Sequence, residues 1–99
     1  MPYINITRTP GVGLPEYQAV VAELGDAPIA GQLLHIVGVS DGALHIVDVW
    51  ESAAAADRYA AERLFPAFER AGVRPGPDAS IHAFEGDVTT DGLTEREAS

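Results

Sequence analysis

The stretch Leu33-Leu34-His35-Ile36-Val37-Gly38-Val39-Ser40-Asp41-Gly42-Ala43-Leu44-His45-Ile46-Val47-Asp48-Val49-Trp50 decides the fold. Two β-rich runs flank an Asp-Gly pair. A two-residue type I′ turn needs positive φ at both central positions, and Asp-Gly meets that need, so the stretch reads as a β-hairpin. With Asp41-Gly42 as the turn, Ser40 pairs with Ala43 and the register follows. Val39 stands opposite Leu44, Val37 opposite Ile46, His35 opposite Asp48 and Leu33 opposite Trp50, all on one face. The other face carries Leu34, Ile36, Gly38, His45, Val47 and Val49. Both faces are largely apolar, which predicts a sheet buried on both sides.

Upstream of the hairpin, Tyr3-Ile4-Asn5-Ile6-Thr7-Arg8 alternates with period two and reads as a strand. Thr9-Pro10-Gly11-Val12-Gly13 breaks it. Pro15 suits the first turn of a helix that carries Tyr17, Val20, Val21 and Leu24 on one stripe and stops at Gly25. Downstream, Ser52 is the N-cap of a second helix, and Ala53 to Ala56 favour it. Ala56, Tyr59, Ala60, Arg63, Leu64 and Ala67 or Phe68 form its apolar face. Pro66 kinks this helix or ends one and starts another. Gly72 closes it, Arg74-Pro75-Gly76-Pro77 is a stiff loop, and Ala79 to Glu85 reads as the last strand. The order is β-α-β-β-α-β, the split βαβ arrangement, with an antiparallel sheet and both helices on one face. Residues 1–87 are thus expected to form one α+β, ferredoxin-like domain, and residues 88–99 a polar C-terminal tail. The helices cover one sheet face. A second copy is the simplest cover for the other, so a homodimer joined through its sheet faces is expected.

The chain has 99 residues, the size of one domain with one core. It contains no cysteine, which removes disulfides, zinc–thiolate sites, iron–sulfur clusters and thiol nucleophiles together. The net charge is −9, with 6 Lys and Arg against 15 Asp and Glu. Such an acidic protein repels phosphate backbones and anionic lipids, so nucleic-acid and membrane partners are not expected. No apolar run approaches the roughly 20 residues of a membrane span. The N-terminus lacks the basic and apolar regions of a signal peptide, so a cytoplasmic location is expected.

The hairpin register makes His35 and Asp48 cross-strand neighbours beside Trp50, the single tryptophan. A carboxylate beside an imidazole fixes its tautomer, the usual way to prepare a general base near neutral pH. Two readings stand: a base and its orienter, or a pair that only fixes strand register. Asn5 offers an amide to the same region, and Trp50 and Tyr59 offer aromatic walls. Arg70 lies late in the second helix. His45 and His82 read as lone strand histidines. No HxH or HxxxH pattern occurs, so no metal site is expected. Gly11-Val12-Gly13 lacks the rest of a dinucleotide-binding pattern and no nucleophile elbow exists, so no cofactor is signalled.

The run Leu44 to Ser52, with its Trp50-Glu51-Ser52 end, continues into Ala56-Asp57-Arg58-Tyr59 and Arg63-Leu64-Phe65-Pro66. It resembles the small dimeric α/β-barrel proteins of the antibiotic-biosynthesis monooxygenase type, over roughly residues 3 to 86. The resemblance implies a dimeric α/β barrel and, in that superfamily, oxygenases, isomerases, cyclases and haem-degrading enzymes. The cofactor-free oxygenases of aromatic anthrones carry an Asn four residues before the strand Trp; here that position is Ile46. Their helix Tyr and late Arg have rough counterparts in Tyr59 and Arg70, with Tyr59 offset from the expected place at Ala56. In the haem-degrading branch the helix Trp and ligating His would fall at Tyr59 and Glu69, so haem degradation is not expected. Together these readings imply an acid–base enzyme for a flat, hydrophobic intermediate of secondary metabolism. His35 and Asp48 would be its catalytic pair, with Asn5, Trp50, Tyr59 and Arg70 around the substrate. The alternative is a non-catalytic dimeric ligand-binding or accessory protein.

Overall fold

The central hairpin has the turn its sequence requires: Asp41 and Gly42 both adopt positive φ, 52° and 71°. The computed structural model describes residues 2–74 and 76–87, so the expected tail at 88–99 lies outside the described residues. In chain order the elements are β1 (Tyr3–Pro10), α1 (Leu14–Leu24), β2 (Gln32–Ser40), β3 (Ala43–Trp50), α2 (Ala53–Tyr59), a π-helical turn (Ala60–Leu64), α3 (Phe65–Ala71) and β4 (Ser80–Glu85). The sheet runs β2-β3-β1-β4, and each strand is antiparallel to its neighbour. This is the ferredoxin-like α+β fold.

The register puts His35 opposite Asp48, Val37 opposite Ile46 and Val39 opposite Leu44. One expected pair is corrected: Leu33 does not face Trp50. A bulge between Gln32 and Leu34 sets Gln32 opposite Trp50. The cause lies one residue upstream. The Glu51 N–H donates to the Gly31 carbonyl at 2.8 Å, which anchors the start of the strand. Gly31 has φ 83°, and a Cβ there would meet the Ala55 Cβ at 2.6 Å. The fixed entry leaves one residue too many, and the bulge absorbs it.

The helices lie on the face of His35, Asp48 and Trp50. On that face Thr9, Leu44 and Trp50 are buried, together with Val20 of α1, Ala56 of α2 and Ala67 of α3. The helix ends follow the sequence. Ser52 accepts the Ala55 N–H at 3.2 Å as the N-cap of α2. Gly72 takes the left-handed conformation after α3; its N–H donates to Glu69 O and that of Val73 to Phe68 O, a Schellman stop. Pro66 stands in the first turn of α3, where one helical segment gives way to another. The turn before it widens to π geometry, with the Phe65 N–H reaching back to Ala60 O. That widening relieves the proline ring of its clash with the preceding turn.

The outer face forms three rows across the sheet: Leu34–Val49–Ile4–Phe84, Ile36–Val47–Ile6–His82 and Gly38–His45–Arg8–Ser80. Leu34, Ile36, Ile6 and Phe84 are all exposed, Ile36 by 53%. Among the described residues, therefore, the sheet is covered on one face.

Candidate functional site

The site starts as one row across the inner face: His35 on β2, Asp48 on β3, Asn5 on β1 and Ala83 on β4. His35 Nδ1 is hydrogen-bonded to Asp48 Oδ1. An ionised carboxylate only accepts, so in the neutral imidazole Nδ1 carries the proton and Nε2 presents its lone pair. That lone pair is taken. The Tyr17 hydroxyl, from the first turns of α1, lies 2.7 Å from Nε2 and donates to it. The Tyr17 and His35 rings are stacked at 6.2 Å. Gln32 Nε2 makes a long hydrogen bond to the same Asp48 oxygen, at 3.5 Å. The result is a phenol–imidazole–carboxylate chain. It comes to the surface where α1 meets the edge strand, and the His35 side chain is 35% exposed.

Tyr59 sits beside this chain. Its ring lies 5.2 Å from that of Trp50, and the Arg63 guanidinium stands 5.8 Å over it. Burial holds the pKa of the Tyr59 phenol above its ordinary value; Arg63 opposes this, and Asp48 and Tyr17 add to it. Burial likewise raises Tyr17, with Asp48 adding to it. Both phenols therefore keep their protons at neutral pH. Asn5 Oδ1 and Trp50 Nε1 are buried without a hydrogen-bond partner among the described residues. A buried acceptor and donor left so cost about 1–3 kcal/mol each, and such pairs in native proteins call for an explanation.

His35, Asp48, Asn5, Trp50 and Tyr59 thus share one region. Trp50 is 1% exposed, however, and packs as core rather than as an open wall. Arg70 does not join them. Its Nε donates to Glu23 Oε2 at 3.0 Å and its NH2 to Glu23 O at 3.1 Å, so it ties α3 to the end of α1. The reason is the helix path: Arg70 falls in the last turn of α3, on the side that packs against α1. Tyr17 and Gln32 are the residues the sequence did not nominate. Tyr17 carried the one available signal, a polar tip on an otherwise apolar helical stripe.

An open groove of about 330 Å³ runs between the 28–31 loop and the helices, lined by Ile29, Gly31, Glu51, Arg58, Tyr59 and Glu62 among others. It touches the site only through Tyr59. His45 Nε2 is hydrogen-bonded to the Ser40 carbonyl, and His82 packs on Phe84, both on the outer face. Among the described residues, no group of three His, Asp or Glu is placed to hold a metal ion. No described helix is long and apolar enough to cross a membrane.

No family model matches the chain, and no curated protein matches it. Solved structures do. Rv0793 from Mycobacterium tuberculosis superposes with a TM-score of 0.68 at 13% identity, over 91% of this chain and 100% of that one. A variant of SnoaB, a cofactor-independent oxygenase from Streptomyces nogalater, gives 0.64 at 15% identity over 89% and 95%. A structure described as an antibiotic biosynthesis monooxygenase gives 0.64 at 16% over 89% and 100%. The chain shares the ferredoxin-like fold of antibiotic-biosynthesis-monooxygenase-like proteins.

Proposed function

We propose that this protein is an enzyme that moves protons at a flat, hydrophobic, polyketide-like molecule, as a cofactor-independent oxygenase, isomerase or cyclase. The observation that carries this reading is the unbroken chain from the Tyr17 hydroxyl through His35 to Asp48. Such a chain holds one imidazole tautomer and stabilises the imidazolium that forms when a proton arrives. Asp48 orients His35, and Gln32 braces Asp48. Tyr59, packed on the buried Trp50, supplies aromatic surface beside it. The shared fold with a cofactor-independent oxygenase is in keeping with this reading. The protein works as a homodimer whose apolar outer faces meet.

One observation favours a second reading, a non-catalytic dimeric binding or accessory protein: Trp50 is almost wholly enclosed. Trp50 emission separates the two. Anthrone titrated into the protein is expected to give saturable quenching at micromolar concentration, with a changed affinity in His35→Ala and Asp48→Asn. Blue-shifted emission that resists acrylamide, with no saturable quenching, would instead support the accessory role and make the His35–Asp48 pair structural.

A further inference from the structure

Both nitrogens of His35 are engaged, Nδ1 by Asp48 and Nε2 by Tyr17. The basic lone pair therefore faces a phenol, and while that bond stands His35 has no free nitrogen to offer a ligand. A phenol has one proton to donate and two lone pairs to accept. Donating to His35 leaves the lone pairs for an incoming proton. Tyr17 is half-buried at the end of α1 nearest the site, within the electrostatic reach of Tyr59.

We infer that Tyr17 is the group that exchanges a proton with the ligand, and that His35 and Asp48 stand behind it as a relay. The inference rests on the acid–base reading above, and the ligand it takes is a weak carbon acid. In the forward step the ligand C–H bond breaks and its proton forms a new O–H bond on Tyr17. The proton that Tyr17 already carried passes to His35 Nε2. The bonding pair stays on the ligand as an enolate, and Asp48 faces the resulting imidazolium. The reverse step returns a proton to carbon or oxygen, which is isomerisation when the site of return differs. Tyr17 cannot serve as a standing phenolate, because burial and Asp48 keep it protonated. A relay needs only that it hand on its own proton as it accepts another.

The probe is anthrone, whose methylene is such a carbon acid. Its exchange for deuterium is followed by proton NMR in D2O without oxygen, using the wild-type protein, Tyr17→Phe and His35→Ala. Tyr17→Phe keeps the ring stacked on His35 and removes only the oxygen. The expected result is exchange accelerated by the wild type, slowed about 100-fold at saturating anthrone in both variants, with half-saturation unchanged in Tyr17→Phe. Exchange lost in His35→Ala but kept or raised in Tyr17→Phe would overturn the inference and leave His35 as the direct base. No acceleration by the wild type would overturn both the inference and the acid–base reading. Should Tyr17→Phe fail to fold, trifluorotyrosine at position 17 keeps the size and weakens the oxygen as a base. Slower exchange then supports the relay, and an unchanged rate overturns it.

Discussion

Tyr17 and Tyr59 are phenols held partly out of water, and this sets how stability responds to base. Both have pKa values raised above the ordinary 10.0, burial being the largest cause. The folded state therefore favours the neutral phenol, while the unfolded chain ionises near pH 10. Their contribution is fully present below that value and declines as pH rises from 10 toward the folded value. Tyr17→Phe tests the sign. At pH 8 it should cost about 1 kcal/mol for the lost hydrogen bond to His35. In urea melts at pH 11 the gap to wild type should narrow, because the variant no longer carries that ionisation. A constant gap would mean that the Tyr17 phenol is as well hydrated folded as unfolded. At this scale the sequence was legible where register decides the neighbour. Asp41-Gly42 fixes the pairing, and the pairing makes His35 and Asp48 touch. Tyr17 was not legible as a partner of His35, because a helical stripe shows which residues turn inward but not which strand atom a hydroxyl will meet. Arg70 was misplaced for the same reason: its partner, Glu23, lies on another helix.

Among the elements, the π-turn at Ala60–Leu64 does the most to arrange the site. It lets Pro66 sit at the start of α3. It also turns Arg63 toward the end of α1, where its guanidinium donates to three carbonyls: Pro28 at 3.0 Å, Ala27 at 3.2 Å and Leu24 at 3.3 Å. A cation at a helix C-terminus also meets the negative end of the helix dipole. Arg63 thus pins the loop that leads into Gly31 and Gln32, and so holds the residue that braces Asp48. Arg63→Met, which keeps the stem and removes the donors, should lower stability by about 2 kcal/mol in urea unfolding. It should also loosen the 25–31 loop, seen as faster amide exchange there than at α2. A variant as stable as wild type would mean that solvent replaces those three bonds without loss. Pro66 marked an irregularity in the sequence, since a mid-helix proline demands one. Which irregularity forms depends on how α2 and α3 pack, and that is written in tertiary contacts rather than in local propensity.

For the whole molecule the decisive feature is the outer sheet face. The helices bury the face of Trp50, while the rows of Leu34, Ile36, Val47, Val49, Ile4, Ile6 and Phe84 have no cover among the described residues. Both apolar faces were readable from the two hairpin strands, because period-two patterns assign every side chain to a side. The identity of the cover is not a property of one chain's pattern. A two-fold pairing of identical faces needs only a self-complementary surface, which rows of aliphatic residues provide. It also answers the exposure of an apolar patch that a lone small domain rarely carries. Val47 lies at the centre of this face, half-buried between Ile36 and Ile6. Val47→Glu adds a carboxylate that a single chain can leave in water but that two facing copies must bury together, unpaired. Sedimentation equilibrium should therefore give twice the chain mass for wild type at micromolar concentration and the chain mass for Val47→Glu. The folded signature in circular dichroism should remain, because the helix-covered core is untouched. A wild-type protein that sediments as one chain would remove the dimer from the proposal and leave the Tyr17–His35–Asp48 chain standing, since all three side chains come from one copy.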